Sequence, residues 1–170
     1  MFKIVESVVY GHNGVMKIVD IKTEEIADVS RTYYVLEEIN TSFGSLTYVP
    51  VDNEKLTSLI RPLMEEADIK GLLCRISEIE PAPWIEDNRR RADNFKSILA
   101  SCDIEKIISM LKAIYHTGKA REAAGKKNFL SDENIKHKAE ELIHSEICAV
   151  LSVDKDEVPK IIREYAKGRE

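Results

Sequence analysis

An α+β chain, with a small antiparallel β-barrel or strongly bent sheet leading into an all-α helical bundle, is predicted by three observations. Residues 2 to about 50 hold short apolar runs rich in β-branched and aromatic residues, spaced by turn residues. From about residue 65 the apolar period becomes that of a helix. The helical stripes are each apolar on one side only, so they must pack on one another to hide those faces.

The strand candidates are "FKIVESVVY", "VMKIVDIKT", "RTYYVLEE" and "LTYVPV". They are separated by His12-Asn13-Gly14, the Ala27-Asp28 region and Ser42-Phe43-Gly44-Ser45, residue types that turn a chain. Pro50 lacks a backbone donor and belongs at a strand end or an edge, after which Asp52 and Asn53 turn the chain. A helical pattern in "RPLMEEADIKGLLCRISEIE" is interrupted by Pro81 and Pro83. Phe95, Ile98 and Leu99 mark a helix from about residue 87 to 100, stopped by "ASCD". Ile104, Ile107, Ile108, Leu111, Ile114 and Tyr115 form the next stripe, with Asp103 as its cap, and this helix ends at Gly125 with basic residues in its last turn. A longer stripe, from Ile135 through Ala139, Leu142, Ile143 and Ile147 to Leu151, has Ser131 as its expected cap; Val158, Ile161, Ile162 and Tyr165 make a final short one. The expected organisation is therefore 1–60 for the β domain, 61–82 for a helical connector and 83–170 for the helical domain.

Composition narrows the function. With 170 residues, 44% of them hydrophobic and 32% charged, the chain can build a core and reads as a soluble globular protein. No run is long enough to span a bilayer, and "MFKIVESVVYGHNG" has neither the basic head nor the apolar stretch of a signal peptide, so a cytoplasmic location without membrane contact is expected. Cys74, Cys102 and Cys148 are odd in number, far apart and set among apolar neighbours, as reduced, buried thiols are. The formal net charge of −5 argues against a general nucleic-acid coating protein, so any DNA contact must be local.

Catalytic and ligand chemistry is not in view. His12, His116, His137 and His144 are scattered, with no metal-ligand spacing among them, and "GHNG" is too short for a phosphate loop. No nucleophile sits in an elbow or triad setting. No enzyme activity, metal, cofactor or small-molecule substrate is expected.

One stretch stands apart: "IEPAPWIEDNRRRADNF" sets the only tryptophan, Trp84, after two prolines and shortly before Arg89, Arg90 and Arg91. A large aromatic ordinarily packs into a core, and arginines at a helix start are ordinarily solvated. Yet cations near a helix amino terminus oppose its dipole, which an external anion would correct. An aromatic beside cations is also the equipment of proteins that enter a minor groove, unstack a base step and hold phosphates.

Taken in order, "FKIVESVVYGHNGVMKIVDI", "YYVL", "YVPVDN", "RPL" and "PWIEDNRRRADNFKSIL" followed by "SCDIEKI" resemble the CarD family of bacterial transcription regulators, CdnL members included, over essentially the whole chain. The resemblance implies a Tudor-like barrel that docks on the β subunit of bacterial RNA polymerase. It implies a helical domain that meets promoter DNA, whose tryptophan wedges into the minor groove at the upstream edge of the bubble and stabilises the open complex, as at ribosomal RNA promoters. Trp84 matches the wedge, and Arg89, Arg90 and Arg91 match the basic segment that tracks the DNA backbone. The strand around Glu24 and Ile26 and the one around Tyr48 match the polymerase-facing edge. The chain departs from the family pattern at Val5-Glu6, where Gly-Asp is usual, at Glu24 and Tyr48, where some members carry arginines, and at Cys102, where glycine is common. A different class of function, a protein-interaction adaptor using a barrel edge without DNA contact, stays open.

Overall fold

The computed structural model describes residues 2–26, 29–39 and 44–167. The chain divides into two compact units, Met1–Met64 and Glu65–Glu170.

The first unit is one antiparallel sheet with strand order β4-β3-β2-β1-β5. Its strands are β1 (Ser7–Tyr10), β2 (Val15–Ile26), β3 (Val29–Glu38), β4 (Leu46–Pro50) and β5 (Ile60–Pro62), with the short helix α1 (Glu54–Thr57) between the last two. "GHNG" is the turn expected of it. A single 3-10 turn, Gly11–Asn13, joins β1 to β2, and Gly11 (φ 51°) and Gly14 (φ 81°) take backbone conformations that a side chain would strain. Asn53 starts α1 by accepting from the Leu56 amide at 3.3 Å. Pro50 and Pro62 fall on the two edge strands, where a missing N–H breaks no ladder.

The expected barrel is not closed by hydrogen bonds: β4 and β5 are the two ends of the sheet and do not pair. Two of the expected turns, at residues 27–28 and 42–43, lie outside the described residues. The boundary at residue 60 also moves. Arg61 and Pro62 pair with Val9 and Val8, so the sheet needs them and the β unit runs to Met64. A three-residue strand interrupted by proline has too little pattern to be read in advance.

Between Ile18 and Asp20 the pairing of β2 with β3 slips by one residue, leaving Val19 unpaired as a bulge. Before it, Met16 and Ile18 point into the core; after it, Ile21 does, packed against a cluster of Val8, Tyr34, Leu36 and Val49. Burial of each such aliphatic side chain stabilises by about 1.5–3 kcal/mol.

The second unit holds α2 (Glu66–Arg75), α3 (Asn88–Ser101), α4 (Ile104–Ala123), α5 (Leu130–Leu151) and α6 (Val158–Lys167). Their apolar stripes meet in one core, where Ile69, Leu73, Phe95, Ile107, Met110 and Ile147 are buried. Asp87 caps α3 through the Arg90 amide at 2.8 Å, and Asp103 caps α4 through the Lys106 amide at 3.2 Å. Gly125 follows α4 at φ 68°. Ser131 is not the cap of α5. That helix begins one residue earlier at Leu130, behind Phe129, and the Ser131 hydroxyl turns to Asp132 Oδ1 at 3.2 Å. Phe129 holds the cap position without a side-chain hydrogen bond, and its carbonyl accepts from the Asp132 and Glu133 amides at 3.1 Å.

Candidate functional site

Residues 77–83 are tied along α4. The Ala82 amide donates to the Ser109 carbonyl at 2.9 Å, and the Ser109 hydroxyl donates back to the Glu80 carbonyl at 2.6 Å. Lys112 Nζ donates to the carbonyls of Ile79 at 2.6 Å and Ser77 at 3.2 Å. With Pro81 and Pro83 limiting the backbone, this strap presents Trp84 at a set position ahead of α3. The indole is half-buried. Its ring meets Phe95 edge to face, centroids 6.2 Å apart and planes at 63°.

The three arginines have different fates. Arg89 and Arg90 are exposed in the first turn of α3. Only the Asp87 cap offsets their charge locally, because the first turn of α3 holds no acidic residue. Arg91, in contrast, is completely buried. Its Nε donates to Asp132 Oδ2 at 3.0 Å and its Nη2 lies 3.0 Å from the same oxygen. Nη1 donates to the carbonyls of Ile85 (2.8 Å) and Glu86 (3.2 Å), and Nη2 to Asn88 Oδ1 at 2.8 Å. Four hydrogen bonds and the ion pair hold a guanidinium that is completely buried. The expectation that Arg91 tracks a DNA backbone is therefore corrected: buried and so engaged, it presents nothing to a phosphate.

Arg91 also stacks. Its guanidinium carbon lies 4.3 Å from the Trp84 ring centroid and 4.7 Å from that of Phe129. Phe129 in turn lies 3.9 Å from the guanidinium carbon of Arg121, which is pinned by two hydrogen bonds to the Lys127 carbonyl. Aromatic and cationic groups thus alternate from Trp84 to Arg121. Beside this ladder is a shallow cleft, open to solvent, lined by Trp84, Ile114, Gly118, Asn128 and Phe129 among others. Asp132, Phe129 and Arg121 carry no signal at the sequence level; Asp132 sits 41 residues from its partner, in a first turn where acidic residues are common anyway.

On the sheet unit, Glu24 faces Arg31 across β2 and β3, while Tyr48 pairs with Val35 and through it with Asp20. Paired residues share a sheet face, so Glu24 and Tyr48 lie on one face with β3 between them, and only Tyr48 stands on an edge strand. Tyr48 is 47% exposed and meets Tyr33 edge to face at 6.3 Å. Glu24 binds Lys22 at 2.8 Å, and this carboxylate raises the lysine pKa, chiefly through the hydrogen bond. Ile26 ends β2 opposite Val29. Arg31 and Asp52 form a further ion pair at 3.2 Å. The face is thus a polar, aromatic-centred surface of mixed charge.

Other chemistry-bearing groups do not assemble. Among the described residues no three His, Cys, Asp or Glu side chains form a group that could hold a metal, and no helix is long and apolar enough to cross a membrane. The three cysteines are free and half-buried. Burial pushes the Cys148 thiol up, and burial likewise lowers the His144 imidazole against the opposing pull of Glu140. With this geometry in place, one comparison bears on the first unit: residues 2–64 match the family model for the CarD-like/TRCF RID domain.

Proposed function

We propose, from the premise that the chain carries a CarD-like RNA polymerase-interacting domain over residues 2–64, that it is a transcription regulator acting on the promoter open complex. In this reading the five-stranded sheet is the Tudor-like docking module. The face carrying Glu24, Lys22, Tyr33 and Tyr48, with Ile26 at the end of β2, meets the polymerase β subunit. The helical unit then reaches promoter DNA, where Trp84 enters the minor groove at the upstream edge of the bubble while Arg89 and Arg90 hold phosphates. The protein works beside polymerase in the bacterial cytoplasm and performs no catalysis of its own.

The observation that carries this reading is a half-buried Trp84 presented on a tied strap next to two exposed arginines, in a chain whose first 64 residues match a polymerase-docking family. Docking raises the local concentration of a weakly DNA-binding unit, so a chain of net charge −5 can act there. A wedge that fits only the distorted step of the opened duplex shifts the equilibrium toward that state. Stacking is worth about 1–3 kcal/mol per base, which lengthens the open complex by roughly one to two orders of magnitude at most.

The test is open-complex lifetime on a ribosomal RNA promoter, measured with no added protein, with the wild type and with Trp84→Ala. Lengthening by the wild type and its loss in the variant, with polymerase binding intact, supports the wedge. An unchanged lifetime with both proteins removes it.

A second reading is favoured by one contact, the edge-to-face packing of Trp84 on Phe95. In it the protein is an adaptor that binds partners through its sheet, and Trp84 is a packing residue. Acrylamide quenching of this single tryptophan in the isolated protein separates the two, because a ring serving only as packing resists the quencher and a wedge does not.

A further inference from the structure

The wedge reading leaves open why a ring half out of the core keeps one orientation. We infer that Arg91, clamped by Asp132, is the positioning residue that sets the plane of Trp84. The inference rests on that reading for its effect on DNA, though not for its effect on the ring itself. Packing alone does not fix the indole, since it is part-exposed and borders a cleft open to solvent. What does lie over it is a guanidinium, its carbon 4.3 Å from the ring centroid, a rigid plate rather than a flexible chain. That plate cannot rotate. Asp132 holds one edge through Nε and Nη2, the Ile85 and Glu86 carbonyls hold Nη1, and Asn88 Oδ1 accepts from Nη2. The Phe129 ring centroid lies 4.7 Å from the same guanidinium carbon.

Two of these anchors, Ile85 and Glu86, directly follow Trp84 in the chain. The same group therefore fixes the backbone that carries the indole and the plane against which the indole lies. Binding a bent or unstacked base step with a preset ring avoids ordering the ring at the moment of insertion. Arg91 makes no DNA contact in this account; it acts through Trp84.

The deciding variant is Arg91→Lys in the full chain, which keeps a cation opposite Asp132 and removes the plate. Because Trp84 is the only tryptophan, time-resolved fluorescence anisotropy excited at the red edge of tryptophan absorption, where the six tyrosines do not absorb, reports this ring alone. The expected result is unchanged helix content, a fast anisotropy component at least about twofold larger than in the wild type, and an open-complex lifetime shortened roughly three- to tenfold toward the value without protein. Tryptophan signals identical to the wild type overturn the inference. If Arg91→Lys lowers the helix content, Phe129→Leu decides by the same readouts, because it leaves the ion pair whole and removes only the second ring beside the guanidinium. A freed ring in that variant supports the inference, and an unchanged ring overturns it. Should Trp84→Ala itself leave the lifetime unaltered, the wedge reading fails, while the anisotropy comparison still decides whether Arg91 sets the ring.

Discussion

At the scale of single residues, the most consequential contacts are those that residue type conceals. Arg89, Arg90 and Arg91 are chemically identical in the sequence, yet two are exposed and one is buried against an acid 41 positions away. Helical periodicity could say that position 91 faces inward with Phe95; it could not supply the carboxylate that makes burial tolerable. We expect Asp132→Ala to destabilise the helical unit by about 3–5 kcal/mol, read from urea unfolding, because it strands a buried cation. Val5 and Cys102, the two positions where the resemblance implies a glycine, both take left-handed backbone, φ 74° and 53°. A β-branched residue is the poorer occupant of that conformation. Val5 is 66% exposed, so Val5→Gly loses little packing and is expected to raise stability by about 0.5–1 kcal/mol, measured as a higher urea midpoint for the sheet unit.

At the scale of elements, the helices were legible because each carries an apolar stripe long enough to show its period, and Asp103 announces the start of α4. The start of α5 was not, since Phe129, which makes no side-chain cap bond, takes the place of the expected hydroxyl cap. The strap before α3 has no periodic signature at all; its order comes from α4, through Ser109 and Lys112. Replacing Lys112 by Met leaves two carbonyls without a donor. We expect a loss of about 1–2 kcal/mol and faster acrylamide quenching of Trp84, which a fluorescence titration measures. α5 also brings a pH dependence. Burial holds the His144 imidazole below its ordinary value of 6.5, so the unfolded chain binds a proton more readily than the folded one. Stability is therefore undiminished above that value and falls as pH drops below it. Denaturant midpoints at pH 7.5 and 5.5 should differ in that direction, and His144→Gln should reduce the difference.

At the scale of the whole molecule, strands first and helices after was readable from the change of period, while closure of a barrel was not, because edge pairing depends on long-range register that alternation does not encode. Division into two units means that polymerase docking and DNA contact, as proposed, can be disabled separately. Arg89→Ala with Arg90→Ala should lower the slope of log affinity against log salt by about two for promoter complexes while leaving polymerase binding unchanged, checked by titration across salt concentrations. The proposed docking face depends on one unpaired residue. A strand is read two residues at a time, and Val19 acts as an inserted letter that shifts the frame: beyond it Lys22 and Glu24 look outward and Ile21 inward. Were Val19 taken into the ladder instead of left out of it, the two would transpose, driving charges into the apolar interior and turning the surface meant for a partner inside out.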